Sequence, residues 1–339
     1  MSPASNSQSP ISDDKSESAN AAEQLHVGHS IRERRLDKYL HGRFSNLSRN
    51  FIQNAIRQGA VKVNGKTAKQ SLKLNPGDVI DFIPPEPPGK DILPEDIPLD
   101  IIYEDEDLII LNKQPDMIVH PARGNTHGTL VNALTFYSNK LSTGLGEFRP
   151  GIVHRLDRNT TGVMVITKND TAQWRIAKQF EQRKVNKTYL AIVHGTPELN
   201  ADRINAPLGV HPRLREKYAV RPESGKQAVT FYEVLESFRG FSLLKMTPKT
   251  GRTHQIRVHL LYIKHPIVAD DMYGGKLVYH WQLADTEPEV QEPILSRVAL
   301  HAFSLEFTHP SKNKMMKFEA PLPEDMQNLL NELRKYRKI

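Results

Sequence analysis

Apolar and polar residues alternate along the chain with two different periods, and each period predicts a different element. From about residue 98 onward, short β-rich runs predict strands over 107–112, 163–167, 187–193, 226–235, 241–247 and 299–307. Segments with the helical period predict helices over 129–138, 170–183, 253–263 and 324–336. The order is mixed and lacks a regular βαβα rhythm. It therefore indicates an α+β domain with a mixed, largely antiparallel sheet.

A smaller pattern within residues 31–83 predicts a separate small α/β domain. Ser48 can cap a helix over 49–58. The apolar side of that helix is formed by Phe51, Ile52, Ala55 and Ile56, and the opposite side by Arg49, Gln53 and Arg57. The amphipathic pattern indicates that this helix covers a core and leaves basic side chains in solvent.

A hairpin is predicted next in the same domain. Residues 61–66 contain Asn64 and Gly65, the two residue types that adopt the positive φ angles of a type I′ turn. Residues 78–82 predict the strand that closes the small sheet.

Two segments around this domain are predicted to lack a packed core. Residues 1–30 carry eight serines and almost no large apolar side chains, so we expect a disordered tail. Residues 84–97 begin with a Pro-rich run and predict a stiff linker to a second domain over 98–339.

Positive charge is concentrated in the small domain. The whole chain has a formal charge of +7 and a pI of about 9.3. Residues 31–73 alone hold eleven Lys or Arg against two acids, a local net charge of +9. Such a cluster indicates a polyanionic partner, and the alternative is a charged face that only contacts water.

The chain contains no cysteine, which excludes disulfides, Cys-ligated zinc, iron–sulfur clusters and thiol nucleophiles. No run approaches the 18 or more apolar residues of a membrane span, and the N-terminus lacks the apolar core of a signal peptide. We therefore expect a cytoplasmic protein without a membrane partner.

The first candidate segment for chemistry runs from Gly151 to Gly162 and precedes an apolar strand. It places Asp157 on a polar loop between Arg155 and Arg158, where a rigid scaffold can present a reactive group. The residues alone leave two interpretations open. Asp157 is either reactive, or it caps a turn and pairs with a neighbouring arginine.

The second candidate segment is the strand that contains Lys187 and Tyr189, which share one strand face. Tyr189 is either a core residue with its hydroxyl satisfied or a platform on which a base stacks.

The third candidate segment runs from Thr250 to Leu260 and predicts a helix start with Thr253 near the cap and Arg257 one turn later. His254 and His259 are five residues apart rather than the four of a zinc-binding helix, so no metal site is expected.

Together these segments resemble a known family. Residues 154–162 (HRLDRNTTG) resemble the signature loop of the RluA-type pseudouridine synthases, although Thr161 stands where many relatives have serine. The other two segments are similar to that family's remaining motifs. Residues 35–40, 59–66 and 76–78 look like an S4-type RNA-binding domain. The whole looks most like the ribosomal large subunit pseudouridine synthase D type.

The resemblance implies an activity and a set of roles. Asp157 would be the catalytic carboxylate that isomerises a flipped-out uridine, Tyr189 would stack on the uracil, and Arg257 would pair with Asp157. Substrate contacts would come from His154, Arg155, Arg158, Lys187 and Arg252. RNA contacts of the S4-like domain would come from Arg35, Arg49, Arg57, Lys62 and Lys66.

The same resemblance implies the partners. The substrate would be structured RNA, namely 23S-type ribosomal RNA or ribosomal particles, and the enzyme would be a monomer that needs neither cofactor nor metal. Two alternatives remain at this point: a non-catalytic RNA-binding protein on the same fold, and a metal-dependent RNA nuclease that uses Asp157. The arginines beside Asp157 disfavour the nuclease, because a divalent ion prefers further carboxylates.

Overall fold

The computed structural model describes residues 23–29, 34–44, 49–83, 92–121, 125–144, 149–288 and 292–339. The chain divides into two compact units, Met1–Asp91 and Ile92–Ile339. Within the described ranges, no helix combines the length and the apolar character that a membrane crossing requires.

The described residues of the N-terminal unit form one small sheet and two helices. Its elements are β1 (Glu23–His26), α1 (Leu36–Arg43), α2 (Arg49–Arg57), β2 (Val61–Val63), β3 (Lys66–Thr67) and β4 (Val79–Phe82). The strands pair antiparallel in the order β1-β4-β2-β3. The helices bury Leu36, Leu40, Ile52 and Ile56 against that sheet. Burial of these apolar side chains is the main force that stabilises a unit of this size.

The predicted helix and hairpin of this unit are confirmed. Helix α2 buries the side that carries Ile52 and Ile56. Asn64 and Gly65 have φ angles of 52° and 75°, as the type I′ turn requires. Ser48, the predicted cap, lies outside the described residues.

The predicted disordered tail, residues 1–30, is wrong at its C-terminal end. Residues Glu23–His26 form β1 and pair with β4, with Leu25 opposite Ile80. The next residue, Val27, is buried in the core. The prediction rested on the serine-rich composition of the whole segment, which did not reveal that Leu25 and Val27 could pack beside β4. The rest of the predicted tail, apart from residues 27–29, lies outside the described residues.

The C-terminal unit is an α+β structure. Its strands are β5 (Asp100–Glu104), β6 (Leu108–Lys113), β7 (Thr161–Thr167), β8 (Asn186–His194), β9 (Ala201–Asn205), β10 (Leu208–Val210), β11 (Tyr218–Val220), β12 (Val229–Phe238), β13 (Phe241–Pro248), β14 (Leu300–Thr308) and β15 (Met315–Glu319). Its helices are α3 (Leu130–Tyr137), α4 (Asp170–Glu181), α5 (Gln255–Tyr262), α6 (His280–Ala284) and α7 (Glu324–Tyr336).

Nine of these strands form one sheet in the order β5-β6-β7-β14-β8-β13-β12-β9, with β15 paired to β14. Strands β7 and β14 run parallel, and every other described pair is antiparallel. The predicted mixed, largely antiparallel sheet is therefore confirmed. Strands β5, β9, β10, β11 and β15 were not predicted; β9, for example, is mostly exposed and lacks a clear apolar alternation.

Strands β6 and β7 are buried on both faces, which makes them a rigid base for the loop before β7. One face packs against α3 and the other against α4. The approach of β7 to β14 requires Gly162, because its φ is +116° and a Cβ there would lie 2.2 Å from the carbonyl oxygen of Ala302.

The predicted linker, residues 84–97, is too long at its C-terminal end. Ile92 and Ile97 pack against the core beside α3. The carboxylate of Glu95 accepts a hydrogen bond from the Gly128 N–H (3.0 Å). Residues 92–97 therefore belong to the C-terminal unit, since two isoleucines give them an apolar surface to bury. Residues 84–91 lie outside the described residues.

Candidate active site

The three candidate segments, far apart in the sequence, meet at one cavity of about 550 Å³. Its wall contains Asp157 from the loop before β7, Tyr189 from β8 and Arg257 from α5. A cavity of this size accommodates a single flipped nucleotide.

Each carboxylate oxygen of Asp157 faces one nitrogen. Arg257 Nη1 lies 3.4 Å from Oδ2, and His254 Nε2 lies 3.8 Å from Oδ1. The Asp157 side chain is 23% exposed, so it remains open to the cavity. The predicted pairing of Arg257 with Asp157 is present, and His254 is a further neighbour that the sequence pattern did not place there.

Arg257 is held more tightly by a second carboxylate. Its Nε and Nη2 each donate a 2.7 Å hydrogen bond to Asp270, and its guanidinium lies over the ring of Tyr273 at 4.9 Å. Burial is the largest single influence and lowers the pKa of Arg257, but the hydrogen bonds to Asp270 and the nearby charges of Asp270 and Asp157 together raise it. Arg257 is thus a fixed cation with one nitrogen turned towards Asp157.

Two buried basic side chains hold the backbone immediately after Asp157. Lys113 Nζ donates to the carbonyl oxygen of Arg158 (2.9 Å), and Arg297 Nη1 donates to the carbonyl oxygen of Asn159 (3.1 Å). Lys113 also binds two carbonyls of the segment that follows β6. Burial lowers the pKa of Lys113 to about 7, and Asp157 acts in the opposite direction. The loop geometry is therefore set by directed hydrogen bonds from both sides.

His154 connects the same loop to β7. Its Nε2 accepts a hydrogen bond from the Val165 N–H (3.0 Å), and its ring stacks on Phe180 with centroids 4.7 Å apart. Burial lowers the pKa of His154 to about 3, with Lys187 adding to the shift. These contacts show a neutral ring that ties the loop to β7, whereas its expected contact with substrate stays a prediction.

Tyr189 lies where β8 borders the cavity and packs against the cores on both sides of it. Burial raises the pKa of its phenol, and Asp157 raises it further, so the hydroxyl is protonated. Lys187, two residues earlier on the same strand, also lines the cavity. Burial lowers the pKa of Lys187 to about 8, with a contribution from Lys249.

The cavity rim is basic. It includes the predicted Arg155 and Arg252, and also Arg183 and Lys249, which sequence reasoning missed. Lys249 directly precedes the third candidate segment, and this position could have predicted that it lies at the cavity. Arg158 does not line this cavity, and its Nε pairs with Asp116 Oδ1 (2.7 Å) at the surface.

The fold assembles one acidic cluster that the sequence did not predict. Asp105, Asp107 and His309 bring their ligand atoms within 4.8 Å of one another. The ammonium of Lys312 lies 2.7 Å from Asp105 Oδ2 and takes the place of a cation there. None of these residues lines the cavity.

In the N-terminal unit, Arg57, Lys62 and Lys66 are exposed. Arg35 donates from Nε to the buried carboxylate of Asp37 (3.0 Å), so its guanidinium also has a structural contact. The side chain of Arg49 lies outside the described residues.

Histidine burial predicts a specific pH dependence of stability. An unfolded histidine titrates near pH 6.5, whereas folded His154 titrates near 3, so the unfolded chain binds more protons in between. The free energy of unfolding should therefore fall as the pH drops from about 6.5 to 5. His154→Gln keeps an acceptor and cannot titrate, so it should remove at most about 1.4 kcal/mol of this fall per pH unit.

Denaturant unfolding of both proteins at several pH values between 5 and 7 measures this difference. Asp105, whose pKa is lowered, affects stability only below about pH 5, because its carboxyl group in the unfolded chain begins to bind protons there. The substitution His29→Gln, at an exposed ring, is the control. Parallel pH curves for wild type and His154→Gln would contradict the assignment of a buried neutral ring.

Comparisons with known proteins identify the family. The model of the RNA pseudouridylate synthase family matches residues 107–262, and that of the S4 domain matches residues 34–80. The chain is 42% identical over 307 residues to an uncharacterized RNA pseudouridine synthase of Chlorobaculum parvum, covering 88% of this chain and 94% of the relative.

It is 38% identical over 326 residues to ribosomal large subunit pseudouridine synthase D of Xanthomonas campestris, covering 96% of each. The solved structure of human RNA pseudouridylate synthase domain containing 4 is similar with a TM-score of 0.54 and 27% identity, covering 69% of this chain and 93% of that one. The chain therefore belongs to the RluA-type family of RNA pseudouridine synthases and carries an S4 domain at its N-terminus.

Proposed function

We propose that this isomerase converts specific uridines of large-subunit ribosomal RNA to pseudouridine, with Asp157 acting directly on the target nucleotide. The observation that carries the proposal is that Asp157, Tyr189 and Arg257 meet in one nucleotide-sized cavity with a basic rim. The roles that follow are inferred from this geometry.

The target uridine must leave its base stack before the cavity can receive it, at a cost of a few kcal/mol. The exposed Arg155 stands at the rim, where its guanidinium can occupy the vacated position in the stack. The uracil stacks on the ring of Tyr189. Lys187 and Arg252, with Arg183 and Lys249, supply charge for the flanking phosphates.

The reaction breaks the bond between uracil N1 and ribose C1′, rotates the base, and forms a bond from C5 to C1′. N1 gains a proton and C5 loses one, so the net change is an isomerisation without an external group. The ionised carboxylate of Asp157 acts as nucleophile or as base, and Arg257 stabilises its charge. The protonated phenol of Tyr189 is placed to contact the base, although burial disfavours the phenolate that would remove the C5 proton.

Two of the expected substrate contacts also have partners within the chain. His154 lines the cavity and accepts a hydrogen bond from the Val165 N–H, and Arg158 pairs with Asp116 at the surface. Arg158 is still placed to reach RNA outside the cavity.

The proposed target rests on relatives. The similar Xanthomonas campestris and Nitrosomonas europaea proteins are both named ribosomal large subunit pseudouridine synthase D, at 38% and 40% identity. The S4 domain supports a structured RNA partner. We further propose a cytoplasmic monomer that needs no cofactor.

Asp157→Asn should abolish pseudouridine formation while RNA affinity changes little. The amide keeps the size of the side chain and removes the charge, whereas phosphate contacts elsewhere carry most of the binding. Pseudouridine maps of RNA from cells lacking the gene, complemented with wild type or Asp157→Asn, measure both activity and target.

Sites should be lost in large-subunit ribosomal RNA and restored by wild type alone. Restoration by Asp157→Asn would end the catalytic assignment. Lost sites confined to transfer RNA would replace the proposed target but keep the reaction.

The S4 unit should contribute to RNA affinity by neutralising phosphates. Replacing the exposed Lys62 and Lys66 by Gln in the full chain should make the dependence of log K on log salt shallower by roughly 0.7–0.9 for each phosphate that is no longer neutralised. Turnover at saturating RNA should persist. The matched control removes two exposed charges elsewhere, with Lys317→Gln and Lys335→Gln. Equal slopes in all three proteins would mean that the basic cluster only contacts water.

Catalysis should survive exhaustive chelation. A pre-folded minimal stem-loop is the substrate, because magnesium also helps larger RNA to fold. Activity that chelation removes, and that zinc but not an inert salt restores, would overturn this expectation. Asp107→Asn then tests whether the cluster with Asp105 and His309 holds the ion.

A further inference from the structure

We propose that His254 is a positioning residue for Asp157: its Nε2–H holds one oxygen of the carboxylate, and Tyr273 fixes the imidazole tautomer that makes Nε2 the donor. This inference rests on the proposed catalytic role of Asp157. It adds a residue that lies outside the motif of Asp157 and is identified by its position in the folded site.

The first observation is that the carboxylate has two different neighbours. Arg257 Nη1 faces Oδ2 at 3.4 Å, and His254 Nε2 faces Oδ1 at 3.8 Å. Both distances are longer than strong hydrogen bonds, as is common before substrate binds, and such contacts shorten in the occupied site. Each oxygen thus has its own neighbouring nitrogen, with Arg257 within hydrogen-bond distance and His254 just beyond it, and a small shortening of the second distance would fix the carboxylate about its Cβ–Cγ bond.

The second observation concerns the position of the imidazole proton. His254 Nδ1 lies 2.8 Å from the Tyr273 hydroxyl, and that hydroxyl accepts a hydrogen bond from the Tyr218 N–H (2.9 Å). Within the described residues, Nδ1 is the acceptor in reach of the hydroxyl proton. This arrangement favours the tautomer in which the hydroxyl donates to Nδ1 and the proton of the neutral imidazole lies on Nε2.

The third observation is that the ring is caged. His254 lies between the rings of Tyr218 and Tyr273, with centroids 5.9 Å and 5.6 Å away in edge-to-face arrangements. Its backbone has a left-handed φ of 54°, and α5 begins at the next residue, Gln255, rather than at the predicted residue 253. The conformation is uncommon for a residue with a side chain, and it turns the ring towards the cavity.

Burial of the ring favours its neutral form, and the surrounding charges act in both directions. Burial lowers the pKa of His254, Asp157 and Asp270 oppose this shift, and Arg257 and Arg155 support it. A neutral ring with a fixed Nε2–H is a hydrogen-bond donor rather than a second cation, and it orients Asp157 without proton transfer.

Three variants of the full chain test the inference by single-turnover and steady-state kinetics. His254→Phe keeps an aromatic ring and removes both nitrogens. It should lower kcat by roughly 30- to 100-fold with KM unchanged, as expected for a misplaced reactive group. His254→Gln can place an amide N–H near the Nε2 position and should recover most of kcat. Tyr273→Phe frees the tautomer and should lower kcat by a smaller factor.

The matched control lies on the same helix. His259 is buried, with Nδ1 beside the Thr230 hydroxyl (2.8 Å) and Nε2 beside the Ala206 carbonyl (3.0 Å). His259→Gln should lower the melting temperature and leave kcat unchanged. A purely structural role for His254 would make its variants behave like this control.

The outcomes separate this inference from the proposed function. If His254→Phe keeps the wild-type kcat while the separate variant Asp157→Asn is inactive, the inference is overturned and the proposed function stands. An active Asp157→Asn overturns the proposed function itself. If His254→Phe fails to fold, Tyr273→Phe decides: an unchanged kcat there overturns the inference, and a lowered kcat with unchanged KM supports it.

Discussion

The site depends on one guanidinium shared by two carboxylates. Arg257 gives two short hydrogen bonds to the buried Asp270 and leaves a single, longer contact for Asp157. This unequal division matters because two strong charge-assisted bonds would stabilise the ionised carboxylate and make it a weaker base and nucleophile. Asp270 neutralises most of the arginine's charge and fixes its plane. Asp157 therefore lies beside an arginine whose position is fixed and whose contact with Asp157 is weak.

The position of Asp157 depends in turn on the sheet beneath it. Strand β7 is buried on both faces, and the loop before it is bound by Lys113 and Arg297 at two successive carbonyls. Removing either buried basic side chain would leave carbonyls unpaired in the interior, which costs about 1–3 kcal/mol for each unsatisfied group. These hydrogen bonds restrict the backbone of the loop, although it carries an open carboxylate. This restriction holds a reactive group in place without cost during the reaction.

Periodicity and the three motifs predicted the main strands and helices and the residues Asp157, Tyr189 and Arg257. They failed where the signal lies in contacts between distant segments. Asp270 is 13 residues beyond Arg257, and Lys113 ends an apolar strand, where a lysine is usually solvated. The motif also did not show that His154, which lines the cavity, accepts a hydrogen bond from the Val165 N–H and so connects the loop to β7. The acidic cluster around Asp105 joins residues about 200 positions apart, which no local pattern reports.

A neutral donor opposite Arg257 suits the chemistry better than a second cation would. At an effective dielectric constant of about 20, a unit charge some 4 Å from Asp157 would stabilise the carboxylate by about 4 kcal/mol. That stabilisation would apply before the reaction, and it would oppose a step that uses the carboxylate's charge. An uncharged N–H at the position of His254 Nε2 restricts the orientation of Asp157 with a much smaller electrostatic penalty. The cage of Tyr218 and Tyr273 keeps the ring in that state, because it combines burial with a hydroxyl that donates to Nδ1.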